Sequence, residues 1–171
     1  MEAVRHPLSP RLDHCPQGLP RAAYMAQDWF DREMVTIFSR QWVCAGRLSD
    51  LAPGTMRRVQ VGAAPVVLCR AEDGAVSAFH NTCRHRGAEL CRAEMEPLGK
   101  LIRCPYHAWA FSAADGRLVS TAHAHPTTDF DKAGHGLHPV ALRLWNGFVF
   151  LNANHNPAPI WSDVGLETLN N

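Results

Sequence analysis

A chain of 171 residues with 46% hydrophobic and 19% charged side chains can bury one real core, so one domain with extensions is expected. The formal net charge of +1 supplies no global field toward nucleic acid or an anionic membrane surface. No apolar run approaches the roughly 20 residues that span a bilayer. The start, Met1-Glu2-Ala3-Val4-Arg5-His6-Pro7, lacks the apolar stretch of a secretory signal, so a cytoplasmic protein is expected.

Residues 1–20 are rich in Pro, Arg and His without periodicity and read as a draped leader. Asp28 is positioned to cap the helix that follows. Phe30, Met34, Ile37 and Phe38 recur at i, i+4, i+7 and i+8, an apolar stripe assigned to the core or to an interface. From Trp42 onward the pattern changes to short strands and tight turns: 42–45, 56–61, 66–70 and 75–79, the last two joined through Asp73-Gly74. A long loop follows. Residues 101–103 lead into a second loop, and 108–111 and 117–120 flank Asp115-Gly116. Residues 140–145 and 148–152 form a last hairpin across Asn146-Gly147, the strongest hairpin signal in the chain. The expected fold is mainly β, an antiparallel sandwich or barrel preceded by a helix. Residues 1–41 are read as leader and helix, 42–153 as the β domain, and 154–171 as a linker or truncated tail.

The two loops carry the chemistry. Cys83-Arg84-His85 and Cys104-Pro105-Tyr106-His107, eighteen residues apart, each offer one thiolate and one imidazole. Donors two or three residues apart in a tight turn can point at one site, so each segment is a two-toothed clamp. A zinc finger usually pairs Cys with Cys on one turn and His with His on a helix. Mixed clamps suit two unlike metals instead, as in a Rieske [2Fe–2S] centre, where two Cys hold one iron and two His the other. A structural zinc site is the competing reading.

The run Phe79-His80-Asn81-Thr82-Cys83-Arg84-His85-Arg86-Gly87, with Cys104-Pro105-Tyr106-His107-Ala108-Trp109, resembles the Rieske domain of aromatic-ring-hydroxylating and related oxygenase α-subunits, including choline- and betaine-type monooxygenases. The likeness extends over about 19–152. It implies that Cys83 and Cys104 ligate the inner iron and His85 and His107 the outer one, in a small lobe whose two loops meet at its tip. It also implies a flavin or ferredoxin reductase as electron donor, and an acceptor iron across a trimer boundary facing His107. The complete enzyme would hydroxylate or N-demethylate an aromatic or quaternary-ammonium substrate. A free-standing Rieske ferredoxin is the alternative; the leader helix favours the oxygenase.

In the family the mononuclear iron is held by two His five or six residues apart and a carboxylate, in a separate C-terminal domain. Here the only such pair is His80 and His85, with no Asp or Glu between 74 and 88. The mononuclear Fe(II) site and its domain are therefore expected to be absent, leaving a chain that is redox-active but not hydroxylating, a fragment or split component. Ala108 stands where many members carry Gly.

Respiratory Rieske proteins add a disulfide between the two loops; the corresponding positions here are Ala88 and Tyr106. Cys15, Cys44, Cys69 and Cys91 are therefore expected to be reduced and packed as small hydrophobes. His123, His125, His135 and His138 lie in a Gly- and Pro-containing stretch and read as a solvated loop rather than a second metal site. Arg84, Arg86, Arg92 and Arg103 flank the loops, either as a basic rim for an acidic donor or paired locally with Glu89, Glu94 and Glu96. Trp109 and Phe111 replace the Ser and Tyr of the respiratory proteins, which implies a potential low in the Rieske range.

Overall fold

The computed structural model describes residues 17–122 and 124–160. Most of the expected leader, Cys15, His123 and the end of the tail lie outside these residues. Two short helices, α1 (Ala22–Met25) and α2 (Gln27–Glu33), lead into a π-helical turn over Met34–Phe38. Ten strands follow: β1 (Val43–Arg47), β2 (Thr55–Val61), β3 (Ala64–Arg70), β4 (Val76–His80), β5 (Met95–Pro97), β6 (Leu101–Arg103), β7 (Ala110–Ser112), β8 (Leu118–Ser120), β9 (Ala141–Trp145) and β10 (Phe148–Asn152). The mainly β, antiparallel expectation holds, but the strands do not close into a barrel.

They form three sheets, ordered β1-β10-β9, β4-β3-β2-β5 and β6-β7-β8. Two separate cores explain the arrangement. Val61, Val66, Leu68 and Ala78 meet Val149 and Leu151 of the first sheet, whereas Met56, Val67, Cys69 and Phe79 meet Ile102, Phe111 and Leu118 of the third. Successive strand residues point to opposite faces, so the β4-β3-β2-β5 sheet is a middle layer covered on both sides. Its centre, Val66-Val67-Leu68-Cys69, is buried without interruption. A doubly covered strand reads as such a continuous apolar run.

Side chains stitch the layers together. Arg57 Nη2 donates to the Ala45 carbonyl oxygen (2.5 Å), joining the middle sheet to the first, and Arg70 Nη1 donates to that of Leu51 (2.9 Å), in the segment between β1 and β2. Ser77 Oγ donates to the Ala113 carbonyl oxygen (2.6 Å), joining it to the third. Asn146 and Gly147 take φ of 45° and 77° and turn the β9–β10 hairpin as the Asn-Gly pair predicts.

Three expectations change. Asp28 is not the cap: helix α2 begins at Gln27 after Ala26, and Asp28 lies in its first turn, where a carboxylate favours the helix N-terminus. Of the two alternatives for the apolar stripe, core is excluded and the interface alternative stands; Phe30, Ile37 and Phe38 are 52%, 46% and 40% exposed. Strand β5 was not expected. It is an edge strand of three residues ending at Pro97, which tolerates the missing N–H only at an edge.

Gly116, at φ 75°, ends the β7–β8 turn directly against the core. A Cβ there would lie 2.6 Å from Phe79 Cε1. Gly116→Ala combines left-handed strain with overpacking and is expected to cost about 2–3 kcal/mol. Urea unfolding measures this, and a loss below about 0.5 kcal/mol would contradict the packing described.

Candidate metal centre

The first loop leaves β4 at His80 and the second joins β6 to β7, so the two lie on adjacent layers. They are closed by the same main-chain bonds. Cys83 N–H donates to the Ala88 carbonyl oxygen (2.8 Å) and Cys104 N–H to that of Trp109 (2.8 Å). Gly87 N–H donates back to Cys83 (2.9 Å) and Ala108 N–H back to Cys104 (3.1 Å). The equivalent closing residues, Gly87 and Ala108, both take left-handed φ, 74° and 53°. Ala108 thus adopts the conformation that glycine reaches without strain, and the frame survives.

Loop one is pinned to the middle sheet by Asn81, which is fully buried. Its Oδ1 accepts from the N–H groups of Leu90 (3.1 Å) and Cys91 (2.8 Å), and its Nδ2 donates to the Cys91 carbonyl oxygen (2.8 Å). Its own N–H donates to Pro65 in β3 (2.8 Å). Sequence reasoning passed over this residue; the available signal was an amide side chain between a buried strand and a candidate donor.

These frames bring Cys83, His85, Cys104 and His107 around one recess of about 350 Å³, which Arg86, Gly87, Ala88 and Tyr106 complete. Both thiols are buried and unoxidised, and the two imidazoles stand edge to face, centroids 4.8 Å apart at 79°. Trp109 stacks on His85 (4.7 Å, 10°) and seals its side of the recess, while His107 is exposed.

The electrostatics suit a metal. Burial pushes the Cys83 thiol up, partly offset by main-chain N–H groups of His85 and Arg86 directed at its sulfur. Burial, with the nearby His107 and Arg86, holds His85 below its ordinary value, the neutral state a metal requires. His85 Nδ1 is buried and has no hydrogen-bond partner. An orphaned buried ring nitrogen beside two buried thiols is the donor set an iron–sulfur group would complete. Among the described residues no three His, Cys, Asp or Glu side chains gather closely enough to hold a single ion.

The other candidates resolve differently. Cys69 and Cys91 are buried as expected, but Cys44 faces outward from β1. Burial and the neighbouring Cys91 push Cys69 up to about 12, and burial and Glu96 push Cys91 up to about 11. Values above the ordinary 9.0 favour the protonated thiols in the fold. That stabilisation is complete below the unfolded value and lost as pH rises through the folded ones. Melting temperature should therefore fall across alkaline pH. Near pH 8, iodoacetamide should label Cys44 and spare Cys69 and Cys91, since only thiolates react. Mass spectrometry would refute this by finding all three labelled alike.

Of the histidine group, His125 and His138 are exposed, but His135 is only half-exposed. Its ring packs 4.5 Å from Phe130 and 6.1 Å from Trp109, so it is part of the wall behind His85 rather than solvated loop.

Two buried thiols and two imidazoles on paired loops at the edge of a layered β fold mark an iron–sulfur electron-transfer domain. The Rieske [2Fe-2S] domain model matches residues 41–131, and the chain belongs to that family. The glycine betaine monooxygenase oxygenase subunit of Pseudomonas aeruginosa is 39% identical over 153 residues, 89% of this chain and 34% of that one. The carnitine monooxygenase oxygenase subunit of Escherichia coli is 35% identical over 144 residues, 83% of this chain and 38% of that one. Among solved structures, the quaternary ammonium Rieske monooxygenase CntA with L-carnitine superposes with a TM-score of 0.75 at 30% identity, covering 88% of this chain and 43% of that one. Naphthalene 1,2-dioxygenase from Rhodococcus sp. gives 0.70 at 28%, covering 80% and 32%. The chain spans about a third of the length of the curated relatives it matches. No helix of the described residues is long and apolar enough to cross a membrane.

Proposed function

We propose that this chain is the electron-carrying part of a Rieske oxygenase α-subunit, with Cys83 and Cys104 on the inner iron of a [2Fe–2S] cluster and His85 and His107 on the outer one. The observation that carries the reading is the buried, unpartnered Nδ1 of His85, a residue that lines the same recess as two buried thiols. When bound, such a cluster accepts and donates one electron at a time. The residues of the chain set the conditions. Both thiols are shielded from solvent, the N–H groups of His85 and Arg86 favour negative charge on the Cys83 sulfur, and Trp109 excludes water beside His85. Exposed His107 is the side open to an acceptor.

The acceptor, a mononuclear iron, is supplied by a catalytic domain or a trimer neighbour, so the 171 residues by themselves are redox-active without hydroxylating. A flavin or ferredoxin reductase supplies the electrons. Betaine and carnitine monooxygenase subunits among the relatives support a quaternary-ammonium substrate for the complete enzyme. Trp109 and Phe111 offer no hydroxyl to the sulfurs, which supports a potential low in the roughly −150 to +300 mV Rieske range.

Anaerobic purification tests the assignment. The protein should be red-brown, carry iron and acid-labile sulfide in equal amounts, and give on reduction an EPR signal with average g below that of all-Cys clusters. A colourless preparation that holds zinc and resists iron–sulfide reconstitution would refute it.

A further inference from the structure

We infer that His135 is a positioning residue for the redox centre: its ring, with that of Phe130, holds Trp109 flat against His85 and keeps water from that side of the ligand. The inference rests on the cluster-binding reading above and adds to it a residue that lies outside both loops. Its first support is the ring stack. Trp109 is 6% exposed and nearly parallel to His85, with centroids 4.7 Å apart at 10°. Two further rings meet Trp109 edge to face, Phe130 at 6.0 Å and 83° and His135 at 6.1 Å and 66°. These two also pack on each other at 4.5 Å. Edge-to-face contacts set ring edges against π faces and are directional. The pair therefore fixes the indole plane that covers His85.

The second support is that His135 is itself held in place. Its Nδ1 lies 2.6 Å from the Asp131 carbonyl oxygen, and since a carbonyl only accepts, this nitrogen carries the proton and donates. Asp131 Oδ1 accepts from the Gly134 N–H (3.0 Å), closing the short turn over Ala133–His135. Lys132 Nζ donates to the Val119 carbonyl oxygen in β8 (2.6 Å), and Leu137 N–H to that of Gly116 (2.8 Å). The turn is thus fastened to the third sheet, whose strand β7 begins directly after Trp109. The consequence is electrostatic. Two thiolates and two neutral imidazoles on two ferric irons and two sulfides leave the oxidised centre neutral. Reduction adds one electron and one negative charge, and no bond forms or breaks. Water favours the charged state over the neutral one. A wall that excludes water therefore holds the centre toward its oxidised form, and loosening the wall moves it toward the reduced form.

The test uses the cluster-loaded 171-residue chain, titrated anaerobically with dithionite against redox dyes and read by EPR. His135→Ala and His135→Gln should each shift the reduction equilibrium about tenfold toward the reduced form, about 59 mV upward in potential. Gln still offers a donor to Asp131 but has no ring. His135→Phe keeps the ring without the donor and should stay within about threefold of the wild type. His125→Ala, at an exposed histidine of the same segment, should leave the potential in place. Because His135 acts through Trp109, the shift from His135→Ala should vanish in a Trp109→Leu background. If Trp109→Leu does not retain the cluster, the contrast between His135→Phe and His135→Gln decides. Calorimetry of each variant separates positioning from packing: a lower melting temperature with an unmoved potential overturns the inference. A shift in His135→Phe but not in His135→Gln also overturns it, giving the effect to the hydrogen bond, as does an equal shift with and without Trp109. A wild-type chain with no Rieske signal refutes the centre and this inference with it, whereas an intact signal with unmoved potentials overturns the inference alone.

Discussion

Cys83→Ser and Cys104→Ser proteins are expected to lose the iron–sulfur colour and the reduced-state EPR signal completely, while Cys91→Ser keeps both. The contrast is informative because all three thiols are buried to within a few per cent and all lie in or beside the two loops. Only Cys83 and Cys104 share the recess with His85 and His107. Cys91 Sγ instead lies near the carbonyl oxygens of Ala93 (3.5 Å) and Met56 (3.9 Å), the weak bonds of a packed thiol. A hydroxyl is a poor substitute for a thiolate on iron, so one replacement should empty the site. At Cys91 the same change removes only modest packing, about 1 kcal/mol. Iron and sulfide assays on the three purified proteins decide it. Cluster loss in Cys91→Ser would mean the thiols have been assigned wrongly.

The largest stability effect is expected at Asn81, far out of proportion to an uncharged side chain. Asn81→Leu preserves the volume but strands the N–H groups of Leu90 and Cys91 and the carbonyl of Cys91, all inside the protein. Each buried group left without a partner costs roughly 1–3 kcal/mol, so the total should reach about 3–5 kcal/mol. For a chain of this size that lowers the melting midpoint by on the order of 10 °C. Loop one should also release iron faster, since Asn81 fixes its far end to β3. Asn152 is the control. It is equally buried, but its side chain ties the Arg40 carbonyl to β10 (3.1 Å), away from the loops. Asn152→Leu should destabilise without hastening iron loss. Differential scanning calorimetry with absorbance-detected iron release separates the two, and unchanged release in Asn81→Leu would refute the pinning role.

How much of this was legible in the sequence depended on whether the information was local. The Asn146-Gly147 hairpin was legible because the turn chemistry lies in two adjacent residues. The mixed Cys and His clamps were legible because donor spacing is a local property too. Layering was not. Alternation assigns side chains to two faces, but only the unbroken burial of Val66 to Cys69 shows that both faces are covered. The stripe of Phe30, Met34, Ile37 and Phe38 could be read no further than core or interface for the same reason: periodicity says which residues share a face, not what covers it. Strand β5 was invisible because Met95-Glu96-Pro97 has neither alternation nor β-branched residues, and pairing with β2 alone makes it a strand. Asn81 and His135 acquired their roles only through distant partners, Leu90 and Cys91 for one, Trp109 and Phe130 for the other.

The twin closure of the two loops uses main-chain atoms alone: N–H and carbonyl of Cys83 with Ala88 and Gly87, and of Cys104 with Trp109 and Ala108. Positions 84, 86, 105 and 106 take no part in those four bonds. Pro105, which has no N–H to give, occupies one of them without loss. A substitution at one of these four positions leaves all four closing bonds in place, so the surface over the loops can change while their main-chain frame is kept.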